Sequence, residues 1–344
     1  MEITGIGIIG CGIWGTIHAQ IFSSSPFTRL VSVSDLDKNK AEQLSHKYGA
    51  DNYTTDYKEI LSNPEISAVS IATPDHTHTQ IVMDALNAGK HVLVEKPLAT
   101  SVDECKQILA ARDDSGAILM VDFHNHWNIP FMQVKKMFDS GELGDLQMMN
   151  VRLNDTIYVP TKMLSWASKS SPAHFLGSHV VDLIRWISGD EIIRVYSVSR
   201  SAVLSKKGID TPDFYQTILE FSKGTTAYIE NCWILAENSP NIFEFKGDFI
   251  GSKGSTFVNV SHHRMIEKYT EEGAGFPDVM GVVDRYGKAL GFCTASIEHF
   301  IDCVQHNNTP IVTGEDGLIA TQVVQAMEES ANTGLPIDLQ SVID

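Results

Sequence analysis

The first 123 residues alternate short apolar runs with segments of helical spacing, and no other feature narrows the possible folds so far. "ITGIGIIG" reads as a strand, residues 13–24 as a helix with Ile13, Ile17 and Ile21 on one face, and "LVSVSD" as the next strand. "KNKAEQLSHKY" is a helix that Gly49 stops, "ISAVSIATP" a buried strand, "HTQIVMDALNAG" a helix and "HVLVE" a further strand. Ser101 and Glu104 form a capping box ahead of the helix "VDECKQILAARDD", and "AILMVDF" closes the series. Strand and helix in alternation imply right-handed crossovers and therefore a doubly wound parallel sheet.

After residue 123 strand-like stretches follow one another: "LQMMNVRLND", "IIRVYSVSRSAV", "FYQTILEFSKG", "TTAYIENCWIL", "NIFEFKGDF" and "STFVNVS". "SKGTT" has the composition of a hairpin turn, and residues 294–306 and 315–333 return to helical spacing. The predicted fold class is α/β: a Rossmann domain over 1–123, then an α+β domain over 124–344 with a large, mostly antiparallel open sheet and helices on one face. A length of 344 residues suits two domains. An open sheet leaves a face or edge to be covered, so a homodimer or homotetramer through the C-terminal sheet is expected.

The formal charge of −17 repels polyanions, which argues against nucleic acid and acidic membrane surfaces as partners. The N-terminal stretch lacks the basic, apolar pattern of a signal peptide, and no later run approaches the roughly 20 apolar residues that span a bilayer. Cys11, Cys105, Cys232, Cys293 and Cys303 are odd in number and form no CxxC pair, so they read as small buried hydrophobes. A cytoplasmic location is expected.

Gly10, Gly12, Ile13, Trp14 and Gly15 lie between the first strand and first helix, in the spacing of a dinucleotide phosphate loop. There, glycine allows a tight turn and close backbone approach, while the helix N-terminus supplies unpaired N–H groups. Asp35 closes the second strand; its carboxylate can accept from ribose hydroxyls and would repel a 2′-phosphate, so NAD is favoured over NADP. The alternative is that Asp35 only caps the following helix. Ligands of such sheets lie beyond the carboxyl ends of the strands, which brings in Ala72, Thr73, Pro74 and His78 of "ATPDHTH" and Glu95 and Lys96 of "EKP". Lys96 would then sit beside the nicotinamide; its plainer reading is a solvated surface cation. Neighbours in extended chain point to opposite faces, so a Glu95 to Lys96 pair is awkward, and Pro97 is a candidate cis peptide.

"GIIGCGIWG", "ATPDHTH", "EKPLA", "GSHVVDLIRWISG" and "GEDGLIATQVVQAMEESANTG" resemble the Gfo/Idh/MocA family of nicotinamide-dependent oxidoreductases, over nearly the whole chain. The resemblance implies action on sugars, sugar derivatives and inositols. It also implies that Lys96 touches cofactor and substrate, and that His179 serves as acid or base. The residues suit those roles: oxidising an alcohol removes a hydride and a proton, which calls for a base and for a cation beside the oxygen. Asp182 shares a helix face with His179 and either orients it or caps the helix.

Two positions depart from the family pattern. Phe175 stands where many members have an aspartate, and His126, in "FHNHWNIP", where arginine is common. That loop borders the substrate in the family, which makes His124 and His126 candidates for binding it, with Phe175 and Asp182; Trp166 could stack on a sugar ring. His174 carries little weight. The pairs His76 and His78, His124 and His126, and His174 and His179 have no carboxylate or thiolate at a familiar zinc spacing, so no metal is expected. The leading expectation is an NAD-dependent dehydrogenase or reductase for a small carbohydrate-like substrate. The alternatives are a redox-neutral NAD-dependent glycosidase or lyase of the same fold, and a non-catalytic NAD-sensing regulator.

Overall fold

The computed structural model describes residues 3–261, 265–271 and 273–342. They form two compact units, Met1–His124 with Met280–Leu318, and Asn125–Val279 with Ile319–Asp344. Among the described residues no helix is long and apolar enough to cross a membrane.

The first unit runs β1 (Thr4–Ile9), α1 (Ile13–Ser24), β2 (Thr28–Ser34), α2 (Lys38–Tyr48), β3 (Asn52–Thr54), α3 (Tyr57–Ser62), β4 (Ala68–Ile71), α4 (His78–Asn87), β5 (His91–Val94), α5 (Val102–Ser115) and β6 (Leu119–Val121). The strands are parallel in the order β3-β2-β1-β4-β5-β6, so the sheet reverses its winding between β1 and β4, which is where dinucleotide folds take their ligand. Strands β1 and β4 are buried throughout, as apolar runs covered on both faces must be. Helix α5 starts at the expected cap, where the Glu104 N–H donates to Ser101 Oγ at 3.3 Å.

The buried face of α1 differs from the one its isoleucines suggest. Ile21 is buried as expected, but Ile13 is 58% exposed, and the helix also buries Gly15, His18, Ala19 and Phe22. Gly15 sets this face, since its missing side chain lets the start of the helix lie against the Gly10 carbonyl just beyond β1.

The second unit opens with α6 (Ile129–Asp139) and continues through β7 (Leu146–Thr156), α7 (Ser178–Ser188), β8 (Ile192–Arg200), β9 (Phe214–Phe221), β10 (Thr226–Leu235), β11 (Phe243–Gly251) and β12 (Ser255–Asn259). Two short hairpins follow, β13 (Lys268–Thr270) with β14 (Gly273–Gly275), and β15 (Val283–Arg285) with β16 (Lys288–Leu290). Next come α8 (Phe292–His306), α9 (Gly314–Thr333) and β17 (Ile337–Asp338). Seven strands pair as β12-β11-β7-β10-β9-β8-β17, antiparallel except for the central parallel pair β7 and β10.

In β9, Tyr215, Thr217, Leu219 and Phe221 turn inward while Gln216, Ile218 and Glu220 turn out, the two-residue period of a half-buried strand. Ile229, Trp233, Phe245 and Phe249 complete the covered face. The turn Ser222–Thr225 closes the β9–β10 hairpin, with the Phe221 N–H donating to the Thr225 carbonyl.

Segment Met280–Leu318, with α8, groups with the first unit. Ser296 donates to the buried carboxylate of Asp122 at 2.5 Å, and the Phe292 ring lies 5.5 Å from that of His124.

Phe249 is fully buried on β11, so Phe249→Ala removes a large apolar side chain and leaves a cavity. The expected cost is about 4 kcal/mol, read as a lower midpoint in urea denaturation.

Candidate active site

Helix α1 begins where a phosphate would be held. Its N-cap is Gly12, no side chain caps it, and its first N–H groups face the loop. Gly10 has φ +97°, and a Cβ there would lie 2.4 Å from the Ala72 carbonyl oxygen. A Cβ on Gly15 would lie 1.8 Å from the carbonyl oxygen of Gly10, whereas at Gly12 it would meet nothing within 4 Å. Gly10 and Gly15 therefore serve the protein's own packing, and Gly12 keeps open space beside the loop. Ile13 and Trp14 form the first turn of α1.

Asp35 accepts from the Cys11 N–H at 2.9 Å and the Asp37 N–H at 2.8 Å. The cap of α2 is Asp37, bonded to the Asn39 N–H, so Asp35 is not spent on that helix. A cavity of about 200 Å³ beside it is lined by Cys11, Thr16, Lys40, Gln43, Leu44 and Lys47. Burial, reinforced by Asp35, pushes the Cys11 thiol up to about 12, which keeps it protonated. This groove fits NAD: an open glycine, an uncapped helix end and a carboxylate at the end of β2.

The ends of β4, β5 and β6 converge beside that loop. Ala72 continues the β1–β4 pairing through its N–H to the Ile9 carbonyl, Thr73 Oγ1 accepts from Thr77, and Pro74 starts the turn into α4. The two ring nitrogens of His78 contact the carbonyl oxygens of Pro97 at 2.8 Å and Thr73 at 2.9 Å, so this buried ring braces two strand-end loops. The Lys96-Pro97 bond is cis. Lys96 is 7% exposed, which rules out the plain surface-cation reading.

Glu95 is buried, and its Oε1 lies 3.2 Å from His18 Nε2; Asp122 Oδ2 lies 3.6 Å from the same nitrogen. Burial opposes a charge on His18, yet Asp122 and Glu95 outweigh it and push the imidazole up to about 9. Asp122 is held low: burial would raise it, and the contact with His18 reverses that. His124 stacks on Trp14 with ring centroids 5.0 Å apart; burial lowers its pKa, with Asp122 and Glu95 opposing and Lys96 adding to the depression.

In the second unit, His179 is buried in the first turn of α7, just after a wide turn at Ala173–Gly177 closed by the Ser178 N–H to the Ala173 carbonyl. Phe175 lies on that turn, in edge contact with Trp166 at 6.1 Å and Trp233 at 5.6 Å. Asp182, expected beside His179 from its spacing, is hydrogen-bonded to His126 at 2.9 Å, and His126 stacks on Trp186 at 4.5 Å. His174 is paired with Glu328 at 3.3 Å.

The description "Oxidoreductase family, NAD-binding Rossmann fold" matches residues 4–123, and "Oxidoreductase family, C-terminal alpha/beta domain" matches 135–339. The chain belongs to the Gfo/Idh/MocA family. As a member of it, the chain is an oxidoreductase with NAD as cofactor. It is 29% identical to scyllo-inositol 2-dehydrogenase (NAD(+)) of Bacillus subtilis, over 96% of this chain and 95% of that protein. Its fold is that of myo-inositol 2-dehydrogenase from Lactobacillus plantarum (TM-score 0.85, 23% identity, 98% of this chain and 100% of that one). It is also that of scyllo-inositol dehydrogenase from Lactobacillus casei, solved with NAD(H) and scyllo-inositol (TM-score 0.83, 21% identity, 98% and 99%).

Sequence reasoning missed His18, Asp122, Trp186 and Trp233. For the first two a signal existed: β2, β5 and β6 each run out onto an acid, Asp35, Glu95 and Asp122, and His18 shares a helix face with Gly15 and Phe22.

Because a Cβ at Gly12 meets nothing in the protein, Gly12→Ala is expected to keep its melting temperature and to lose NAD affinity at least about tenfold by calorimetry. Gly15→Ala should lose the fold first. The raised pKa of His18 implies stability that is complete below its ordinary value of 6.5 and lost as pH rises through about 9. The loss is about 3 kcal/mol over that window, measured by denaturation at stepped pH, and His18→Gln should flatten it.

Proposed function

We propose that this oxidoreductase acts on a ring hydroxyl of an inositol or a closely related cyclic polyol, with Lys96 and His179 as its reacting groups. The full-length similarity to an inositol dehydrogenase carries the substrate class. The burial of Lys96 at a strand end beside the cofactor loop supports its role.

NAD, when bound, supplies the hydride acceptor. His179 takes the proton of the reacting hydroxyl, while the Lys96 ammonium stabilises negative charge developing on that oxygen; in reduction His179 returns the proton and Lys96 stabilises the same oxygen. Lysine suits the second task because its compact charge adapts to an oxygen atom, and histidine suits the first because it titrates near neutrality. Phe175 cannot accept a proton, so proton transfer rests on His179 without the family's aspartate. Phe175 and Trp166, both only half-buried, instead offer aromatic surface to the C–H face of a ring, with the buried Trp233 packed behind Phe175. His126 and Asp182 support the same end of α7.

The outer face of the second unit's sheet supports the further reading that copies of the chain associate there. Phe257, Asp248, Asn150, Tyr228, Ile218 and Tyr196 form one cross-strand row on it. Phe257 is 69% and Ile218 50% exposed. Sedimentation of a monomer alone at micromolar concentration would count against it.

A panel of inositols and sugars followed at 340 nm with NAD and NADP tests the assignment. Activity with myo- or scyllo-inositol and NAD is expected, and inactivity across the panel overturns it. Lys96→Ala and His179→Ala should each lower kcat about 10²- to 10³-fold. Trp166→Ala should raise KM with kcat nearly unchanged.

A further inference from the structure

We propose that His18, Glu95 and Asp122 form a buried charge clamp, shared by α1 and the ends of β5 and β6, that positions Lys96 and balances its ammonium. This rests on the reading of Lys96 as the reacting cation. The three side chains are 0%, 4% and 0% exposed, and one ring nitrogen and two carboxylate oxygens lie within 4.8 Å of one another. Two of them are also held by hydroxyls from other elements. Ser70 of β4 contacts His18 Nδ1 at 2.6 Å, and Ser296 of α8 donates to Asp122. Edge contacts from Trp14 and Phe22 enclose the imidazole at 6.2 and 6.5 Å.

The clamp acts on Lys96 in two ways. Glu95 directly precedes Lys96, so pinning the Glu95 carboxylate to His18 fixes the backbone at the strand end from which Lys96 projects. Charge supplies the second. Two carboxylates and one imidazolium leave one buried negative charge uncompensated, which is costly at full burial. Lys96 is the adjacent cation, and its charge is felt at His124, two residues beyond Asp122. The titratable groups facing His18 are Glu95 and Asp122, with His124 and Lys96 next to them. With Lys96 counted, two cations stand against two anions, and the ammonium offsets the remaining charge through space. The same imidazole sits one turn beyond Gly15, so the cofactor loop and the strand end bearing Lys96 are held by one proton.

The full-length chain with carbon-13 labelled lysine and nitrogen-15 labelled histidine reports the clamp directly, with Lys96→Ala and His18→Gln assigning the signals. The His18 ring should remain an imidazolium at pH 8, and a neutral ring at pH 7 overturns the proposal. In Glu95→Gln the Lys96 titration should shift to lower pH, and the alkaline limb of kcat/KM should shift with it. A change confined to kcat at every pH, with both titrations unmoved, would mean a merely structural residue and overturn the proposal. If Glu95→Gln does not fold, Asp122→Asn, measured identically, decides with the same expected shift. A stoichiometric divalent metal in the purified protein by mass spectrometry would also overturn it. Inactivity on every polyol would remove the substrate assignment alone, because the NMR titrations need no substrate.

Discussion

Everything in the first unit depends on how closely α1 lies against β1. Gly15 makes that approach possible, since any side chain there would collide with the Gly10 carbonyl. With the helix so close, its uncapped end is fixed at the phosphate loop, and its next turn brings His18 beneath the ends of β5 and β6. A small shift of this helix would move a dinucleotide groove and a charge cluster together. The isoleucine face holds at Ile21 and fails at Ile13, because the helix is docked at its start by Gly15.

The acids of the first unit illustrate how a carboxylate's role is set by what surrounds it. Asp35, Glu95 and Asp122 all end strands of one parallel sheet. Asp35 keeps partial exposure and accepts from loop N–H groups. Glu95 and Asp122 are inside and share an imidazolium. Desolvation of a buried ion costs several kcal/mol, so each of these two needs a cation within a few ångströms, and removing one partner costs more than the pair contributes.

The second unit departs most from the family where its aromatic rings gather. Phe175, Trp166 and Trp233 form one cluster, on the turn that leads into His179. Exchanging an acid for a ring at position 175 removes a proton acceptor and adds apolar surface, so the change bears on substrate choice as well as on proton transfer. His126, standing where arginine is common, gives up a permanent charge and gains a bond to Asp182 and a stack on Trp186.

Much of this was legible beforehand. The alternation of strands and helices in the first unit, the capping box at Ser101, the hairpin at Ser222 and the helices expected over 294–306 and 315–333, found at 292–306 and 314–333, follow from periodicity and turn chemistry, which act within a dozen residues. The short strand Asn52–Thr54 and the small hairpins after residue 267 were not legible, because three residues carry no period. The glycine loop and the EKP element were readable because each is contiguous. The partners of the site were not. Helical spacing put Asp182 on the face of His179, but its bond to His126, 56 positions away, had no local signal. Likewise Asp122 meets Ser296 across 174 positions. Local sequence determined which segments are strands and helices and where a phosphate loop begins; only the folded chain decided which charges are buried together, because desolvation and pairing depend on neighbours that no local pattern encodes.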